Sequence, residues 1–335
     1  MQNESMDSED RFYAQEGDLI GTNYRVIGMV GEGTFSNVYK CVNIQTQATV
    51  VIKICRSSKA FDEAADNEID FMHFLRRIDP FGTYFVKFIE SFQFQHHECI
   101  VLEKLGLSLY ENLRYLKYKP FNTNIVRQLM RQIIGAVDLL HRNEKIHTDL
   151  KLENILLTGN LIDRDGIDIK TNRNGAYVKL VDFGSIDTGK VWHTHLATTR
   201  HYRAPEILLG LKWGYEADIW SLGCILVELA IGNIPFDSRD TLEHLFLIQY
   251  VIGKIPYDMW DRCTDREIVS RVRYGKLSSD VVFEENRQAF LAKPPLREIL
   301  GYNHDIADLA CYILRPDPRN RPKASEILRH PFFRN

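Results

Sequence analysis

The sequence predicts an α+β fold: a small β-rich N-terminal part carrying one helix, followed by a larger helical part. Three observations predict it. Short β-rich runs separated by Gly-rich or polar turns fill residues 24–103. One helical pattern interrupts them at 61–78, and beyond Leu105 the apolar residues recur at three- and four-residue steps. The boundaries implied are a flexible acidic tail over residues 1–16, a smaller part at about 17–104 and a larger one at about 105–335.

In chain order, strands are expected at Tyr24–Gly31, Asn37–Ile44 and Thr49–Arg56, then at Phe85–Phe94 and Glu98–Glu103. Phe61–Ile78 carries Ile69, Met72 and Ile78 with Phe71, Phe74 and Leu75 flanking, which suits a helix packed on a sheet. Ile125, Val126, Leu129, Met130, Ile133, Ile134, Val137 and Leu140 mark a strongly amphipathic helix. Two short strands, Asn154–Leu157 and Val178–Phe183, flank a polar stretch at 158–177. Further helices are expected at Asp218–Ile231, Thr241–Val251, Asp305–Leu314 and Ala324–Leu328.

Composition excludes several classes. Of the 335 residues, 44% are hydrophobic and 26% charged, which fits neither a disordered nor a collagen-like chain. The net charge is -3, and residues 1–10 hold Glu4, Asp7, Glu9 and Asp10 without Lys or Arg, so the remainder is near neutral. No bulk field favours nucleic acid or an anionic membrane, and neither is expected as a partner. The six cysteines form no Cys-x-x-Cys pair, and with no signal peptide in view they read as reduced thiols of the cytosol or nucleus. The longest apolar run, Ile219–Ile231, is at about 13 residues too short to span a bilayer.

Chemistry gathers in a few segments. Gly31, Glu32, Gly33, Thr34, Phe35, Ser36 and Val38 lie between two expected strands. A dinucleotide fingerprint would need a helix there, so this is a flap that offers backbone N–H groups to nucleotide phosphates, with a plain hairpin as the alternative. Lys53 emerges from an apolar strand and needs a counter-ion or a phosphate. Glu68 is preferred over Glu63 and Asp70 because Met72, four residues on, shares its face. In Ile146–Asn154, Asp149 can accept a hydroxyl proton, Lys151 can neutralise a transferred phosphoryl and Asn154 can hold a metal ion. Asp182-Phe183-Gly184 follows, its carboxylate suited to Mg²⁺ and its glycine to a sharp chain reversal. Glu206 and Arg321 read as a buried structural ion pair, and Asp218 as an anchor for the backbone of the loop around Asp149.

From about Gly17 to Phe333 these motifs together resemble the eukaryotic protein kinases, and their spelling resembles the Cdc-like (LAMMER) dual-specificity group. The matching runs are Gly31–Phe35, His147-Thr-Asp-Leu-Lys151, Asp182-Phe-Gly-Ser185, Thr199-Arg-His-Tyr-Arg-Ala-Pro-Glu206 and Pro235-Phe-Asp237, with Glu243-His-Leu245 where the signature helix lies. The resemblance implies a bilobal kinase fold and the cofactors ATP and Mg²⁺. It adds Glu103 and Leu105 to the ATP-binding set of Gly31–Val38, Lys53 and Glu68. It implies transfer of the γ-phosphate to Ser or Thr, and with dual specificity also to Tyr, in proteins such as Arg/Ser-rich RNA-processing factors, by a monomer in the nucleus or cytoplasm. Thr199, bridging Asp149 and Lys151, and Arg203 belong to its substrate and activation segment.

There are departures. The central AMMER is Phe246-Leu-Ile-Gln-Tyr250, the third loop glycine is Ser36, and Leu152 follows Lys151 where proline is usual. The 158–177 stretch is shorter than the family's extra β-hairpin. Thr148 replaces the arginine that pairs with an activation-loop phosphate in many kinases, so activity without an upstream kinase is expected. A neighbouring dual-specificity Tyr-regulated, proline-directed kinase is the runner-up, although its Tyr-x-Tyr is missing. A pseudokinase scaffold is the third reading, which nothing in the sequence favours.

Weaker signals stay secondary. Asp163–Asp168 spells a calcium loop only faintly, with Asn174 where a glutamate is needed. His96-His97 and His193-x-His195 lack further spaced ligands, so no metal site is expected at either. Residues 237–285 hold ten acids against seven Lys or Arg, which fits a docking groove for basic substrate or an ordinary solvated surface.

Overall fold

Period-two alternation builds the first unit. The computed structural model describes residues 10–33, 35–159, 178–301 and 303–334. They divide into one unit running to Gly106 together with Val181–Gly184, and a second comprising Leu107–Leu180 and the chain from Ser185. The first holds an antiparallel sheet of β1 (Leu19–Ile20), β2 (Tyr24–Glu32), β3 (Ser36–Asn43), β4 (Thr49–Cys55), β5 (Phe88–Phe94) and β6 (His97–Glu103), in the order β1-β2-β3-β4-β6-β5. Val50, Ile52 and Ile54 of β4 turn into a core with Tyr24, Val26, Tyr39, Cys41, Cys99 and Val101. Lys53 therefore emerges on the opposite face, where it meets α1 (Lys59–Ile78).

Residues 10–16, placed in the tail by sequence, lie against this sheet. Phe12 packs on Phe94 and its carbonyl accepts from the Asn37 amide, while Arg11 pairs with Glu32. Residues 1–9 lie outside the described residues. The strand expected from Phe85 begins at Phe88, because the Asp79 carboxylate takes the backbone N–H groups of Thr83, Tyr84 and Phe85 at 2.8–3.1 Å.

The second unit is helical. Its first helix is α2 (Leu109–Tyr115), closed by a capping box between Ser108 and Glu111. Next comes α3 (Thr123–Arg142), whose buried residues include all eight of the apolar stripe. The strand β7 (Lys145–Ile146) leads into the Asp149 loop, and a single 3₁₀ turn, Leu152–Asn154, displaces the expected start of the next strand, leaving β8 (Ile155–Leu157). β9 (Val178–Leu180) pairs with β8, and β10 (Asp187–Thr188) with β7. Of the polar stretch 158–177, residues 160–177, which hold the faint calcium-loop spelling, fall outside the described residues.

Helix α4 (Pro205–Leu208) precedes α5 (Glu216–Ile231), which is buried nearly all round and ends at Gly232 in a left-handed conformation, φ +81°. A Cβ at Gly232 would lie 1.9 Å from the Tyr118 carbonyl oxygen, so only glycine closes this helix. Helix α6 (Thr241–Val251) has the bounds expected from sequence, and the last two helices run His304–Ile313 and Ala324–Ile327. Between α6 and His304 the chain makes helices of four to eight residues, too short for periodicity to announce. No described helix is long and apolar enough to cross a membrane, and all six cysteines are unpaired.

Glu206 and Arg321 form the expected ion pair, two parallel bonds of 2.6 and 2.7 Å between side chains 1% and 0% exposed. A second buried acid, Glu228 of α5, accepts from the Tyr202 hydroxyl, and burial pushes its carboxyl from 4.5 up to about 7. A carboxyl whose folded value is raised contributes its full stability below about pH 4.5 and loses it as pH climbs through about 7. Glu228→Gln keeps an acceptor for Tyr202 without the charge. Its melting temperature, compared with wild type, is expected to gain progressively between pH 5 and 8; a difference independent of pH would contradict the assignment.

Candidate active site

In the first unit the Gly-rich segment is a β2–β3 hairpin. Gly33 N–H donates to the Ser36 carbonyl at 2.8 Å, Ser36 is buried at the start of β3, and Phe35 is 59% exposed at the tip. Gly31, Glu32 and Val38 lie on the paired strands, Gly31 opposite Val38. Thr34 falls outside the described residues. Neither Gly31 nor Gly33 needs positive φ. A Cβ on either would meet only ordinary contacts, at 3.8 Å from Val38 and 3.5 Å from the Ser36 carbonyl oxygen. What the glycines provide is bare backbone that a ligand can approach.

Lys53 meets Glu68, not Glu63 or Asp70: Nζ lies 2.7 and 2.8 Å from the two Glu68 oxygens and 3.3 Å from Asp182 Oδ1. Burial disfavours the ammonium, but the charges of Glu68 and Asp182 more than compensate and hold it firmly protonated. Asp182 has φ +61°, and its carboxylate is half exposed. The reversal assigned to Gly184 therefore sits on Asp182 itself, a strained conformation for a residue with a side chain. It ends the strand at Leu180, short of the expected Phe183, and turns the Phe183 ring between Phe71 and Phe85. Glu103 ends β6, its carboxylate accepting from Lys87 N–H, and Leu105 is buried just beyond.

In the second unit Asp149 is surrounded by donors. Lys151 Nζ reaches Oδ2 at 2.7 Å, the Asn154 amide reaches it at 3.2 Å, and the Thr199 hydroxyl donates to Oδ1 at 2.6 Å. Lys151 also reaches Thr199 Oγ1 at 3.2 Å, so the threonine bridges the pair as expected from sequence. Asn154 spends its amide nitrogen on Asp149, which leaves its amide oxygen as an acceptor. That oxygen, and in the first unit the half-exposed Asp182 carboxylate, are each hard oxygen donors of the kind Mg²⁺ prefers. Arg203 donates to the carbonyls of Ala197 and Thr198, bracing the residues just before Thr199.

The backbone of the Asp149 loop is held from below by α5. Asp218, fully buried, accepts from His147 N–H at 2.8 Å and Thr148 N–H at 2.9 Å. Burial alone would raise its carboxyl, but the hydrogen bond and charge of His141, 2.9 Å away, hold it below the usual range. His141 was missed from sequence, since nothing local links it to a residue 77 positions on. Thr148 fills the arginine position with φ +64° and donates its hydroxyl to the Ser185 carbonyl.

In α6 Glu243 is sealed, accepting from Arg239 N–H, Phe283 N–H and the Asn286 amide, and the residues replacing AMMER continue the helix with Phe246 stacked on Tyr250. Several acids of 237–285 are committed structurally. Asp240 and Asp265 cap helices, and Asp258 and Glu285 pair with arginines. Asp237, Asp261, Glu267, Asp280 and Glu284 stay exposed.

Comparison with known proteins agrees with this arrangement. A model of the protein kinase domain matches residues 24–333. Serine/threonine-protein kinase AFC1 of Arabidopsis thaliana is 37% identical over 346 residues, covering 98% of this chain and 74% of that protein. Dual specificity protein kinase CLK1 of Homo sapiens is 34% identical, covering 98% of this chain and 69% of its own. The crystal structure of the PF14_0431 kinase domain matches with a TM-score of 0.84 at 29% identity, covering 98% of this chain and 100% of that one. With Lys53 on Glu68 and Asp149 among Lys151, Asn154 and Thr199, the chain belongs to the protein kinase family, in its Cdc-like (LAMMER) group of serine/threonine and dual-specificity kinases.

Proposed function

We propose that this kinase binds Mg-ATP and transfers its γ-phosphate to serine or threonine, and secondarily tyrosine, in Arg/Ser-rich proteins of the RNA-processing type. One observation carries the catalytic part: Asp149 presents a carboxylate whose two oxygens each hold a fixed donor, Thr199 on one and Lys151 on the other. An ionised carboxylate has about four lone-pair sites, so capacity remains for a substrate hydroxyl. Asp149 takes that hydroxyl's proton as the oxygen attacks phosphorus, and Lys151 balances the charge of the phosphoryl oxygens. Lys53, locked by Glu68, binds the nucleotide phosphates, with the Gly31–Val38 hairpin supplying backbone N–H groups and Glu103 and Leu105 the edge for the base.

Kinases of this family use ATP with Mg²⁺, and Asp182 and Asn154 are the residues that would hold the ion. Bound there, Mg²⁺ neutralises phosphate charge. The preference for basic substrates rests on the resemblance of the motifs to the Cdc-like group and on the acids left exposed in 237–285. The protein acts as a monomer, in the nucleus or cytoplasm, with no nucleic acid or membrane as partner.

The test is a phosphatase-treated preparation given Mg-ATP and either an Arg-Ser repeat peptide or a Ser-Pro peptide, with Asp182→Ala as control. Faster phosphorylation of the Arg-Ser peptide is the expected result. Preference for Ser-Pro would move the protein to the proline-directed neighbours, and incorporation no higher than the control would sink the catalytic reading.

A further inference from the structure

A second cluster of donor atoms lies in the activation segment, apart from the groups around Asp149. His193 and His195 are held in place by Trp213. Backbone bonds of 3.0 and 2.9 Å join His193 to Trp213 in both directions, and the indole N–H donates to the His195 carbonyl at 2.9 Å. Both imidazoles rest on that indole, with ring centroids at 4.7 and 5.0 Å. Facing them is Asp187, in β10, a residue the His-x-His spacing gave no reason to include. One oxygen, Oδ2, lies 3.1 Å from His193 Nδ1 and 3.3 Å from His195 Nε2.

These distances make a chemical demand. His193 Nε2 is 2.7 Å from the Thr188 carbonyl oxygen, which can only accept, so Nε2 carries the hydrogen. On a neutral ring Nδ1 is then a lone pair aimed at a carboxylate oxygen, and two acceptors at 3.1 Å need a positive charge between them. A proton on His193 Nδ1 would answer it, with a neutral His195 donating its Nε2–H to the same carboxylate oxygen. A single divalent ion answers it for all three groups.

The geometry favours the ion. Tetrahedral zinc with bonds of about 2.0–2.1 Å places its ligand atoms about 3.3 Å apart, close to the two spacings that Asp187 Oδ2 makes, and the three donor atoms all lie within 4.8 Å of one another. An imidazole that donates its far N–H to a backbone carbonyl is also the usual support for a metal-bound histidine. The buried His193 and the His195 side chain, 56% exposed, give a site that is fixed on one side and open to entry on the other.

We infer that His193 Nδ1, His195 Nε2 and the Asp187 carboxylate bind one divalent ion of the zinc class, with water in the fourth position. Two imidazoles select such an ion over Mg²⁺, which prefers oxygen ligands in octahedral geometry. The ion ties the start of the activation segment at β10 to the stretch just before Thr198 and Thr199. It supplies there a cationic clip, in a chain where Thr148 stands at the position of the phosphate-binding arginine.

The site is tested on the full chain stripped with EDTA and titrated with Co²⁺ in excess Mg²⁺, reading the visible bands of tetrahedral cobalt, then with Zn²⁺ as competitor. One Co²⁺ per chain, displaced by Zn²⁺, is expected, with a Zn²⁺-dependent rise in melting temperature. His195→Ala, a change on the exposed side that leaves the fold intact by circular dichroism, should weaken Co²⁺ binding at least about tenfold and abolish the thermal shift. Asp187→Asn should do the same. Absence of the bands in the wild-type protein, or bands unchanged in His195→Ala, would overturn the inference.

Discussion

Replacing Asp149 with asparagine should lower kcat by roughly 10²–10⁴-fold while leaving the KM for peptide nearly unchanged, because it removes a general base and little else. The site tolerates the change sterically. An asparagine can keep its amide oxygen toward Lys151 and Asn154, which only donate to Asp149 Oδ2. Its amide nitrogen then faces the Thr199 hydroxyl, which can rotate to accept. Binding geometry survives, and the proton of the attacking hydroxyl has nowhere to go. Steady-state kinetics with the preferred peptide read both parameters. A loss under tenfold would show that Asp149 orients the hydroxyl rather than deprotonating it.

The largest stability effect is expected at Arg321. Arg321→Ala strands the Glu206 carboxylate, only 1% exposed, and empties the donors now serving the carbonyls of Arg315, Pro316 and Glu216. Removing one partner of a buried pair costs about 3–5 kcal/mol. The guanidinium also lies 4.9 Å from the Trp220 ring centroid, so indole fluorescence in a urea titration reports the loss directly. Replacing both members with apolar residues, Glu206→Leu with Arg321→Met, should recover a large share of it, since neither charge is then left alone. A double variant as unstable as Arg321→Ala would mean that the carbonyls, not the carboxylate, are what Arg321 chiefly serves.

Features carried by periodicity, or by a charge on an otherwise apolar face, were readable from the chain. The stripe of α3 and the choice of Glu68 for Lys53 are of that kind: each follows from which residues share a face. Asp218 was readable because an acid at the start of the most apolar helix must find donors. Other features depend on contacts across the chain. Strand β5 starts late because Asp79 captures three amides of the preceding turn, and β9 stops early because Phe183 is drawn between Phe71 and Phe85. Helix α2 did carry its Ser108-x-x-Glu111 signature, but seven residues are too few for a period to stand out. Within the site, the strained φ of Asp182 and the convergence of Asp187 on His193 and His195 have no signature in spacing alone.

The bond from Asp218 to the amides of His147 and Thr148 gives the turn before Asp149 an unusual dependence on the interior. Surface loops ordinarily open and close with little regard for the body beneath them. Here two successive peptide groups hang from a carboxylate sealed inside α5, so the turn cannot fray on its own. Heat should leave the catalytic geometry intact until the helical core itself gives way, making durability of the enzyme a property of its interior.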